Sequence, residues 1–470
     1  MSVTKVIKRD GTSVDFDLQK IIIAIGKANA AVEGAERLDE DQVRGIAEYV
    51  QRRDKNRLLV EDIQDMVERQ LQKAGKFELA KSYIIYRYRR ALVRKSNTTD
   101  ESILSLIRNN NKDVMEENSN KNAVMASTQR DLIAGEVSKD LTRRVILPEA
   151  VSKAHDEGVL HFHDMDYFIQ PIFNCCLIDI GDMLDNGTVM NGKLIESPKS
   201  FQVACNVMTQ IIASVASSQY GGQSVDVSHL GKYLRRSKEK FTKRACGALG
   251  ADADPATVRK VVDERLREEL KAGVQTIQYQ INTLMTTNGQ SPFVTLFLYL
   301  RDGDPYIEEN AMIIEEIIRQ RYQGIKNEVG VYVTPAFPKL VYVLDENNNL
   351  TGGKYDYLTR LAVKCSAKRM YPDYISAKKM RENYAGNVFS PMGCRSFLSP
   401  WKDKEGRYKF EGRFNQGVVS INLPQIGIIA HGDEDKFWKL FDERLQLCYD
   451  ALMIRHNALL GVRSDVSPIH

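Results

Sequence analysis

The octapeptide Ser390-Pro-Met-Gly-Cys-Arg-Ser-Phe397 carries a single cysteine, Cys394, and Asn415 follows it by 21 residues in Gly412-Arg-Phe-Asn-Gln-Gly417. Gly393, directly before the cysteine, is typical of a tight loop tip where the backbone approaches another group closely. Arg395, directly after it, favours a polar and accessible thiol. The alternative is a small buried hydrophobic residue, the usual state of a lone cysteine. The stretch therefore predicts a loop that presents one thiol.

Length and composition predict a globular protein of two to four units. The chain has 470 residues, of which 43% are hydrophobic and 27% charged. Its net charge of +4 is small for this length and does not favour direct nucleic-acid binding. No apolar run begins the chain and no stretch of about 18 apolar residues occurs, so we expect neither a secretory signal nor a membrane span. Seven thinly spread cysteines without a Cys-x-x-Cys motif indicate a reducing, cytoplasmic location.

The first 94 residues are predicted to form a compact unit, followed by a polar linker over 95–103 that lacks periodicity. Two short strands flank Arg9-Asp-Gly11, and Asp-Gly is a strong hairpin signal. Asp17 is a candidate N-cap for the first of four helices. The predicted helices are 18–30, 41–53, 61–74 and 77–93.

Residues 104–470 alternate helical and strand-like patterns, which favours an α/β fold. A long helix rich in small residues is predicted over 200–218, and it closes at Tyr220-Gly-Gly222. Strand-like segments are predicted at 293–298, 339–344 and 417–422.

The flanks of Cys394 and the segment Gly412–Pro424 together resemble one family, the anaerobic, oxygen-sensitive ribonucleoside-triphosphate reductases, which are glycyl radical enzymes. The resemblance runs over nearly the whole chain and implies a ten-stranded β/α barrel with Cys394 on a loop inside it. It also implies that Cys394 carries a transient thiyl radical, which abstracts the 3′-hydrogen of a ribose. That step needs a thiol held against one face of the sugar, and a rigid loop tip suits it.

The resemblance assigns two further residues to this ribose site. Phe173-Asn-Cys-Cys-Leu-Ile-Asp179 is similar to the family segment that carries a second thiol, and the alignment favours Cys175 over Cys176, for which a core position is the alternative. A disulfide between these neighbours would be strained, because adjacent Cα atoms lie about 3.8 Å apart and disulfides need roughly 4.4–6.8 Å. Asn415 resembles the asparagine form associated with formate as external reductant, and a structural asparagine in a turn is its alternative.

Three more residues are expected near the substrate. The stretch 158–166 resembles a family HxHD segment and places His163 near the substrate or formate pocket, with a structural histidine as the alternative. Ser390 and Gly393 belong to a turn whose backbone amides suit substrate phosphates, unless it is a plain turn. His161, His163 and Asp164 are metal-ligand types, but nothing else favours a metal, and we predict none.

The hairpin and helices of residues 1–94, ending in Tyr-Ile-Ile-Tyr-Arg-Tyr-Arg-Arg-Ala, resemble the ATP-cone, a regulatory domain that binds ATP or dATP in many ribonucleotide reductases. The resemblance covers Val6, Lys8, Arg9 and Lys20, and cations suit a triphosphate. A basic hairpin on a solvated face is the alternative. In the family, other dNTP effectors bind a specificity site at the dimer interface. The resemblance implies that this site lies near Gln210, Tyr220 and Gly221 here.

The chain departs from the family pattern at its end. Full-length members continue with the remaining barrel strands, a four-cysteine zinc site and a loop that carries the radical glycine. None of the 30 glycines here lies in an Arg-Val-Cys-Gly-Tyr-like segment. We therefore expect neither zinc nor a glycyl radical to be encoded in this chain, and we expect the chain alone to be inactive. A split gene, a truncated chain and a degenerate remnant are open explanations.

The expected activity is anaerobic reduction of ribonucleoside triphosphates to 2′-deoxyribonucleoside triphosphates, with formate as reductant and control by ATP and dATP. Expected partners are the nucleotides, a radical SAM activating enzyme, further copies of the chain in a dimer or higher oligomer, and a second chain with the remaining half. Two alternatives stay open. The adjacent cysteines also suit a glycyl radical enzyme of the formate-lyase type, and the chain also suits a catalytically incomplete nucleotide-binding fragment or regulator.

Overall fold

The structure is a computed structural model that describes residues 3–7, 13–53, 55–108, 111, 122–250, 253–286, 289–394, 396–463 and 466. Within these ranges, the side chains of residues 89–98 and 100 are outside the description. Internal contacts divide the chain into two units, Met1–Leu104 and Ser105–His470. Each unit is described by itself below.

The first unit packs four helices beside a three-stranded sheet. Strand β1 (Lys5–Ile7) pairs antiparallel with β2 (Ser13–Asp15) and parallel with β3 (Arg57–Leu59). The helices are α1 (Leu18–Asn29), α2 (Glu40–Gln51), α3 (Val60–Lys73) and α4 (Phe77–Ile107). Asp17 caps α1 as predicted, since its carboxylate accepts the Gln19 N–H at 3.0 Å. The residues between β1 and β2, which include Lys8 and Arg9, lie outside the described ranges.

The helix predicted to end at residue 93 instead continues to Ile107 and includes the residues predicted as a linker. The stretch from Phe77 to Ile107 contains neither glycine nor proline. Polar residues such as those at 96–101 lower helix propensity only slightly, so nothing in the local sequence ends the helix. The boundary between the two units falls inside α4.

The second unit is built on a six-stranded sheet in the order β13-β12-β9-β8-β5-β14. Five strands run parallel and β14 is antiparallel to β5. The strands are β5 (Cys176–Leu177), β8 (Gln223–Asp226), β9 (Val294–Leu298), β12 (Lys339–Leu344), β13 (Asp373–Ser376) and β14 (Arg413–Phe414). This parallel sheet confirms the α/β prediction, whereas the ten-stranded barrel stays a prediction.

Three small sheets accompany the large one in the described part of this unit. Strands β4 (Leu160–Phe162) and β15 (Val419–Ile421) pair antiparallel, with His161 opposite Ser420. The other pairs are β6 (Thr188–Met190) with β7 (Lys193–Ile195) and β10 (Ile325–Lys326) with β11 (Tyr332–Val333).

Helices cover one face of the central strands, and Ala377 with the segment that includes Val388 and Met392 covers the other. The helices are α5 (Ala126–Leu141), α6 (Glu149–Asp156), α7 (Ile180–Asp185), α8 (Phe201–Ser218), α9 (Gly231–Leu249), α10 (Pro255–Thr283), α11 (Ile307–Gln323), α12 (Glu346–Asn349), α13 (Asp356–Arg369), α14 (Ala377–Asn383), α15 (Leu423–Ala430) and α16 (Glu434–Leu459). In β9, Leu296 and Leu298 join the core beneath α8, α10 and α11, and Phe297 joins a second core with Ala377. Successive side chains of β9 thus enter different cores, as in a strand that is buried on both faces. Among the described residues, no helix combines the length and apolar character needed to cross a membrane.

Helix α16 has an unusual distribution of side chains. Its buried positions are Arg444, Cys448, Ala451 and Arg455, so two arginines face inward. Several large apolar side chains face outward, including Trp438 at 58% exposed and Tyr449 at 58% exposed. Apolar side chains therefore lie on the exposed side of this helix as well as on its buried side.

Candidate functional site

The loop that presents Cys394 is held against strand β8 by a hydrogen bond from Ser224. The Met392 N–H donates to the Ser396 carbonyl at 2.8 Å and closes the turn around the cysteine. The Ser224 hydroxyl donates to the Pro391 carbonyl at 2.7 Å, and the Met392 side chain is fully buried. Cys394 itself is exposed, as the sequence predicts for a thiol at a loop tip.

Two glycines meet where this loop crosses the start of β8. A Cβ atom on Gly222 would lie 2.4 Å from Cδ1 of Phe293 and 3.0 Å from the Cα of Gly393. A Cβ atom on Gly393 would lie 2.9 Å from the Cα of Gly222. Because these are contacts with backbone and a ring, neither position tolerates a side chain without movement of the loop.

Cys175 lies buried beside Gly222, whose N–H donates to its sulfur at 3.3 Å. The Asn415 N–H donates to the Cys175 carbonyl at 2.7 Å, and the Asn174 N–H donates to the Asn415 carbonyl at 3.2 Å. Cys175 and Cys394 are in side-chain contact. The structure therefore brings together Cys394, Cys175 and Asn415, which are distant in sequence.

The two adjacent cysteines point to opposite sides of the sheet. Cys175 packs in a small cluster with Leu177 and Met392 beneath the Cys394 loop, whereas Cys176 packs in the main core. Side chains alternate along a strand, so only one of two neighbours can face a given side. Burial raises the pKa of Cys176 to about 12, which is typical of an inert core thiol.

The two facing thiols differ in protonation. The hydrogen bond from Cys175 lowers the pKa of Cys394 to about 5, although partial burial opposes the shift. The same contact with Cys394, together with burial, raises the pKa of Cys175 well above its usual range. Cys175 has one S–H, so it donates either to Cys394 or to Asn174 Oδ1 at 3.0 Å. The contact therefore favours a proton on Cys175 over a proton on Cys394.

We expect the alkylation of Cys394 by iodoacetamide to rise with pH to a half-maximum near 5 and to be flat above neutrality, because the thiolate is the nucleophile. Replacing Cys175 by alanine removes the donor and moves the midpoint towards about 8.5, the value of an ordinary thiol. The measurement is mass spectrometry in a Cys246→Ser background, since Cys246 is the other exposed cysteine. A midpoint that Cys175→Ala leaves in place contradicts the pairing.

His163 and Ser390 lie in the same unit but bond elsewhere. His163 Nε2 is 2.8 Å from the Ser420 hydroxyl, and the His163 N–H donates to the Val418 carbonyl at 3.2 Å rather than to either cysteine. Ser390 is buried and its hydroxyl donates to the Pro391 carbonyl at 3.0 Å within the loop. Burial and the neighbouring His161 ring lower the pKa of His163. Their placement near a substrate stays a prediction.

The predicted specificity region divides into two places. Gln210 is exposed on α8. Tyr220 and Gly221 instead hold the Cys175 strand, because their N–H groups donate to the Phe173 carbonyl at 3.1 Å and the Asn174 carbonyl at 2.7 Å. The Tyr220 ring also stacks on Tyr167, with centroids 4.6 Å apart.

In the first unit, two predicted nucleotide ligands are described. Val6 pairs with Val14 across the β1–β2 ladder, and Lys20 lies exposed on α1 with its ammonium 3.8 Å from the Asp17 carboxylate. Arg87 on α4 is bound by the carboxylates of Glu61, Asp65 and Glu68, so its charge is already compensated.

A cluster that sequence patterns did not predict joins Asp226, His229 and Glu411, whose ligand-type atoms lie within 4.8 Å of one another. His229 Nε2 is 3.0 Å from Glu411 Oε2. Burial alone would lower the pKa of His229, but the Glu411 carboxylate raises it to about 9. His229 and Glu411 thus form an ion pair that holds the loop before β14. The partners are 182 residues apart, and no local signal connects them.

Family models match most of the chain. Residues 117–470 match a family described as anaerobic ribonucleoside-triphosphate reductase, and residues 4–92 match the ATP cone domain. The chain is 39% identical over 472 residues to the anaerobic ribonucleoside-triphosphate reductase of Escherichia coli (strain K12), with 99% of this chain and 64% of the relative covered. It is 41% identical over 382 residues to that of Enterobacteria phage T4, with 79% of this chain and 61% of the relative covered.

Solved structures support the same fold. An anaerobic ribonucleotide reductase aligns with a TM-score of 0.53 at 14% identity, with 80% of this chain and 57% of that chain covered. The enzyme from Thermotoga maritima in complex with dATP and CTP aligns with a TM-score of 0.50 at 15% identity, with 80% of this chain and 64% of that chain covered. The chain thus spans less than two thirds of the length of these relatives.

Proposed function

Because the chain belongs to the anaerobic ribonucleoside-triphosphate reductase family, we propose that it provides the thiol-bearing part of an enzyme that reduces ribonucleoside triphosphates to 2′-deoxyribonucleoside triphosphates. The observation that carries the proposal is the meeting of Cys394 and Cys175 at the Gly222–Gly393 contact. Since the chain covers 64% of its Escherichia coli relative, the activity is proposed for the complete enzyme.

In this proposal Cys394, as a thiyl, takes the hydrogen atom from C3′ and becomes a thiol. The resulting C3′ radical allows the 2′-hydroxyl to leave as water, with the proton supplied by Cys175, whose burial and contacts keep it protonated. Asn415 is proposed to hold formate or a ribose hydroxyl through its amide N–H groups, since its Oδ1 already accepts the Gly417 N–H at 2.7 Å. Formic acid then supplies two electrons and a hydrogen that ends at C2′, returns a proton to Cys175 and leaves as CO₂, and Cys394 gives its hydrogen atom back to C3′ and is again a thiyl. One triphosphate and one formic acid thus give one deoxyribonucleotide, CO₂ and water.

The complete enzyme is proposed to include the part of the relatives that this chain does not span. We propose that the six-stranded sheet forms part of the family's ten-stranded barrel and that the stored radical and zinc reside in that part. A radical SAM activating enzyme and a dimer of the chain complete the assembly. Gln210, Tyr220 and Gly221 are proposed to contact the dNTP effector that selects the substrate base.

ATP and dATP are expected to bind the intact chain through the ATP-cone, with Val6, Lys8, Arg9 and Lys20 at the nucleotide. Lys8→Ala removes one charge-assisted hydrogen bond and is expected to weaken dATP binding by about 10-fold to 100-fold. Isothermal titration calorimetry measures the effect, and Lys27→Ala, a basic position in the last turn of α1, is the matched control. Equal weakening by Lys8→Ala and Lys27→Ala would place the nucleotide elsewhere.

The proposed function is tested by reconstitution under anaerobic conditions with the last third of the Escherichia coli relative and an activating enzyme. We expect deoxyribonucleoside triphosphate and ¹³CO₂ to form in equal amounts from [¹³C]formate. Product formation that requires a dithiol and releases no ¹³CO₂ contradicts the role of formate. Nucleotide binding without any reduction favours the second candidate, a regulator that binds nucleotides.

A further inference from the structure

The group formed by Asp226, His229 and Glu411, which we call the His229 cluster, joins one imidazole and two carboxylates from two separate segments. Asp226 ends strand β8, and His229 follows it within a single 3-10 turn, Val227–Leu230. Side chains three residues apart in such a turn lie one above the other, so Asp226 and His229 face the same point. Glu411 reaches this point from the segment before β14.

The spacing of the donor atoms in the cluster is that of ligands around one metal ion. One imidazole nitrogen and one oxygen from each carboxylate lie within 4.8 Å of one another. His229 Nε2 is 3.1 Å from Glu411 Oε1 and 3.0 Å from Glu411 Oε2. Ligands about 2.0–2.2 Å from one ion lie roughly 3–4.4 Å from each other, so an ion fits here after small movements of the side chains.

Negative charge exceeds positive charge around the cluster. Asp226 and Glu411 contribute two carboxylates, and Asp179 adds a third that acts electrostatically on His229 and Glu411. No lysine or arginine of the described ranges forms an ion pair with these three carboxylates, so the imidazole is their one cationic partner there. Carboxylates that outnumber their cationic partners away from water are costly, which favours an added cation.

Asp226 gives an independent indication of the same kind. Only 7% of this residue is exposed. Its Oδ1 accepts the Ser228 N–H at 2.9 Å, whereas its Oδ2 accepts no hydrogen bond from any described residue. Buried polar atoms normally have a partner, so a cation beside Oδ2 is favoured.

The cluster is open to solvent on one side only. The side chains of His229 and Glu411 are 30% and 28% exposed, so an ion can reach the contact between them. The other side of the ring is closed, because a Cβ atom on Gly181 would lie 2.6 Å from His229 Nδ1. Nε2, the nitrogen that faces Glu411, is therefore the available ligand atom.

The donor types select the class of ion. Mg²⁺ and Ca²⁺ prefer sites made of oxygen alone, whereas imidazole nitrogen suits first-row transition metals and zinc. A set of one imidazole and two or three carboxylates therefore favours a divalent transition-metal ion.

The cluster lies at the start of the segment that leads to Asn415. The N–H of Gly412, next to Glu411, donates to the Leu177 carbonyl at 2.8 Å. Strand β14 then pairs with β5, which lies beside β8 in the sheet. An ion shared by Glu411 and Asp226 would thus join this segment directly to the end of β8.

We propose that the His229 cluster binds one divalent transition-metal ion through Asp226, His229 and Glu411 and thereby holds the segment 411–415 against the sheet. The ion displaces the proton that otherwise joins His229 to Glu411. The inference does not depend on the proposed reaction, and its test requires no turnover.

The probe is Mn²⁺, added to the intact chain without nucleotide, because it is paramagnetic and prefers oxygen and nitrogen ligands to thiols. Electron paramagnetic resonance counts the free ion, and its pulsed form detects the nitrogen of a bound imidazole. We expect one bound ion per chain with a nitrogen coupling. His229→Gln should remove the coupling, and Glu411→Gln should weaken binding at least tenfold, since even the loss of an outer partner costs about 10-fold to 100-fold.

Asp185→Asn is the matched control, because Asp185 is a carboxylate of the nearby helix α7 that pairs with Lys232 outside the cluster. It should change Mn²⁺ binding less than twofold. Mn²⁺ should also raise the unfolding temperature of the wild-type chain and leave that of Glu411→Gln in place, which reports binding through stability.

Four outcomes would overturn the inference. The first is Mn²⁺ binding that His229→Gln and Glu411→Gln leave unchanged, and the second is binding without a nitrogen coupling. The third is equal weakening by Asp185→Asn, which would place the ion elsewhere. The fourth, no binding of Mn²⁺ by the wild-type chain, requires no variant and leaves the proposed function standing.

Discussion

Replacing Cys394 by serine is expected to abolish ribonucleotide reduction by the reconstituted enzyme while nucleotide binding persists. The O–H bond of serine is stronger than the S–H bond of cysteine, so the side chain cannot hold the radical that abstracts the 3′-hydrogen. Loss of a residue that forms the reactive species costs at least about 10³-fold in kcat. The substitution changes a single atom on an exposed loop, so the fold and the buried Met392 anchor should be unaffected.

The control for this experiment is Cys246→Ser, which alters the other exposed cysteine, on α9. We expect it to retain the full rate of reduction. Deoxyribonucleotide formation is measured by chromatography, and substrate binding by calorimetry on the same samples. If the Cys394→Ser protein still reduced ribonucleotides, Cys394 would not be the radical-bearing residue, and its contact with Cys175 would have no role in the reaction.

Gly222→Ala is expected to have the second largest effect, although Gly222 carries no functional group. The added methyl would lie 2.4 Å from the Phe293 ring and 3.0 Å from the Gly393 Cα, so the ring and the Cys394 loop have to shift, which changes the contact between Cys394 and Cys175. A displacement of about 1 Å at a reacting group can cost roughly 10²-fold in rate. We expect a loss of that size, together with a rise in the pKa of Cys394 as the contact with the Cys175 thiol weakens.

The matched control is Gly247→Ala on α9, where nothing lies within 4 Å of the added methyl. This substitution should leave reduction unchanged and stabilise the helix by about 0.5–1 kcal/mol. Iodoacetamide alkylation against pH reports the position of the loop without any turnover. A Gly222→Ala protein with wild-type reduction and an unchanged alkylation midpoint would show that the glycine contact does not position Cys394.

Local patterns predicted those features whose causes are local. The Asp17 cap, the helix predicted over 200–218 and the strand 339–344 follow from short signals. The structure has the cap, a helix at Phe201–Ser218 and a strand at Lys339–Leu344. The alternation along a strand also explains why Cys175 and not Cys176 faces Cys394. By contrast, the sequence does not predict the continuation of α4, because the polar stretch 96–101 has no apolar periodicity, although it also lacks the glycine or proline that ends a helix.

Features that depend on distant contacts could not be predicted in this way. The pairing of His229 with Glu411, the contact of Gly222 with Gly393 and the burial of Arg455 each join segments far apart in the chain. From sequence alone, an arginine on a helix is expected to be exposed to solvent, since burial of that side chain is rare. Only the packed fold shows that Arg455 faces inward and that its Nε–H has no hydrogen-bond partner within the described ranges.

The exposed Trp438 on α16 makes tryptophan fluorescence a probe of whether this helix is covered. The sequence contains two tryptophans, Trp401 and Trp438, and they are 52% and 58% exposed. Indole fluorescence from the isolated chain therefore comes from rings in contact with water. Any polypeptide that covers α16 would exclude water from Trp438 and shift the emission to shorter wavelength, with Trp438→Phe removing the response. Assembly of the complete enzyme can thus be followed by fluorescence without a label.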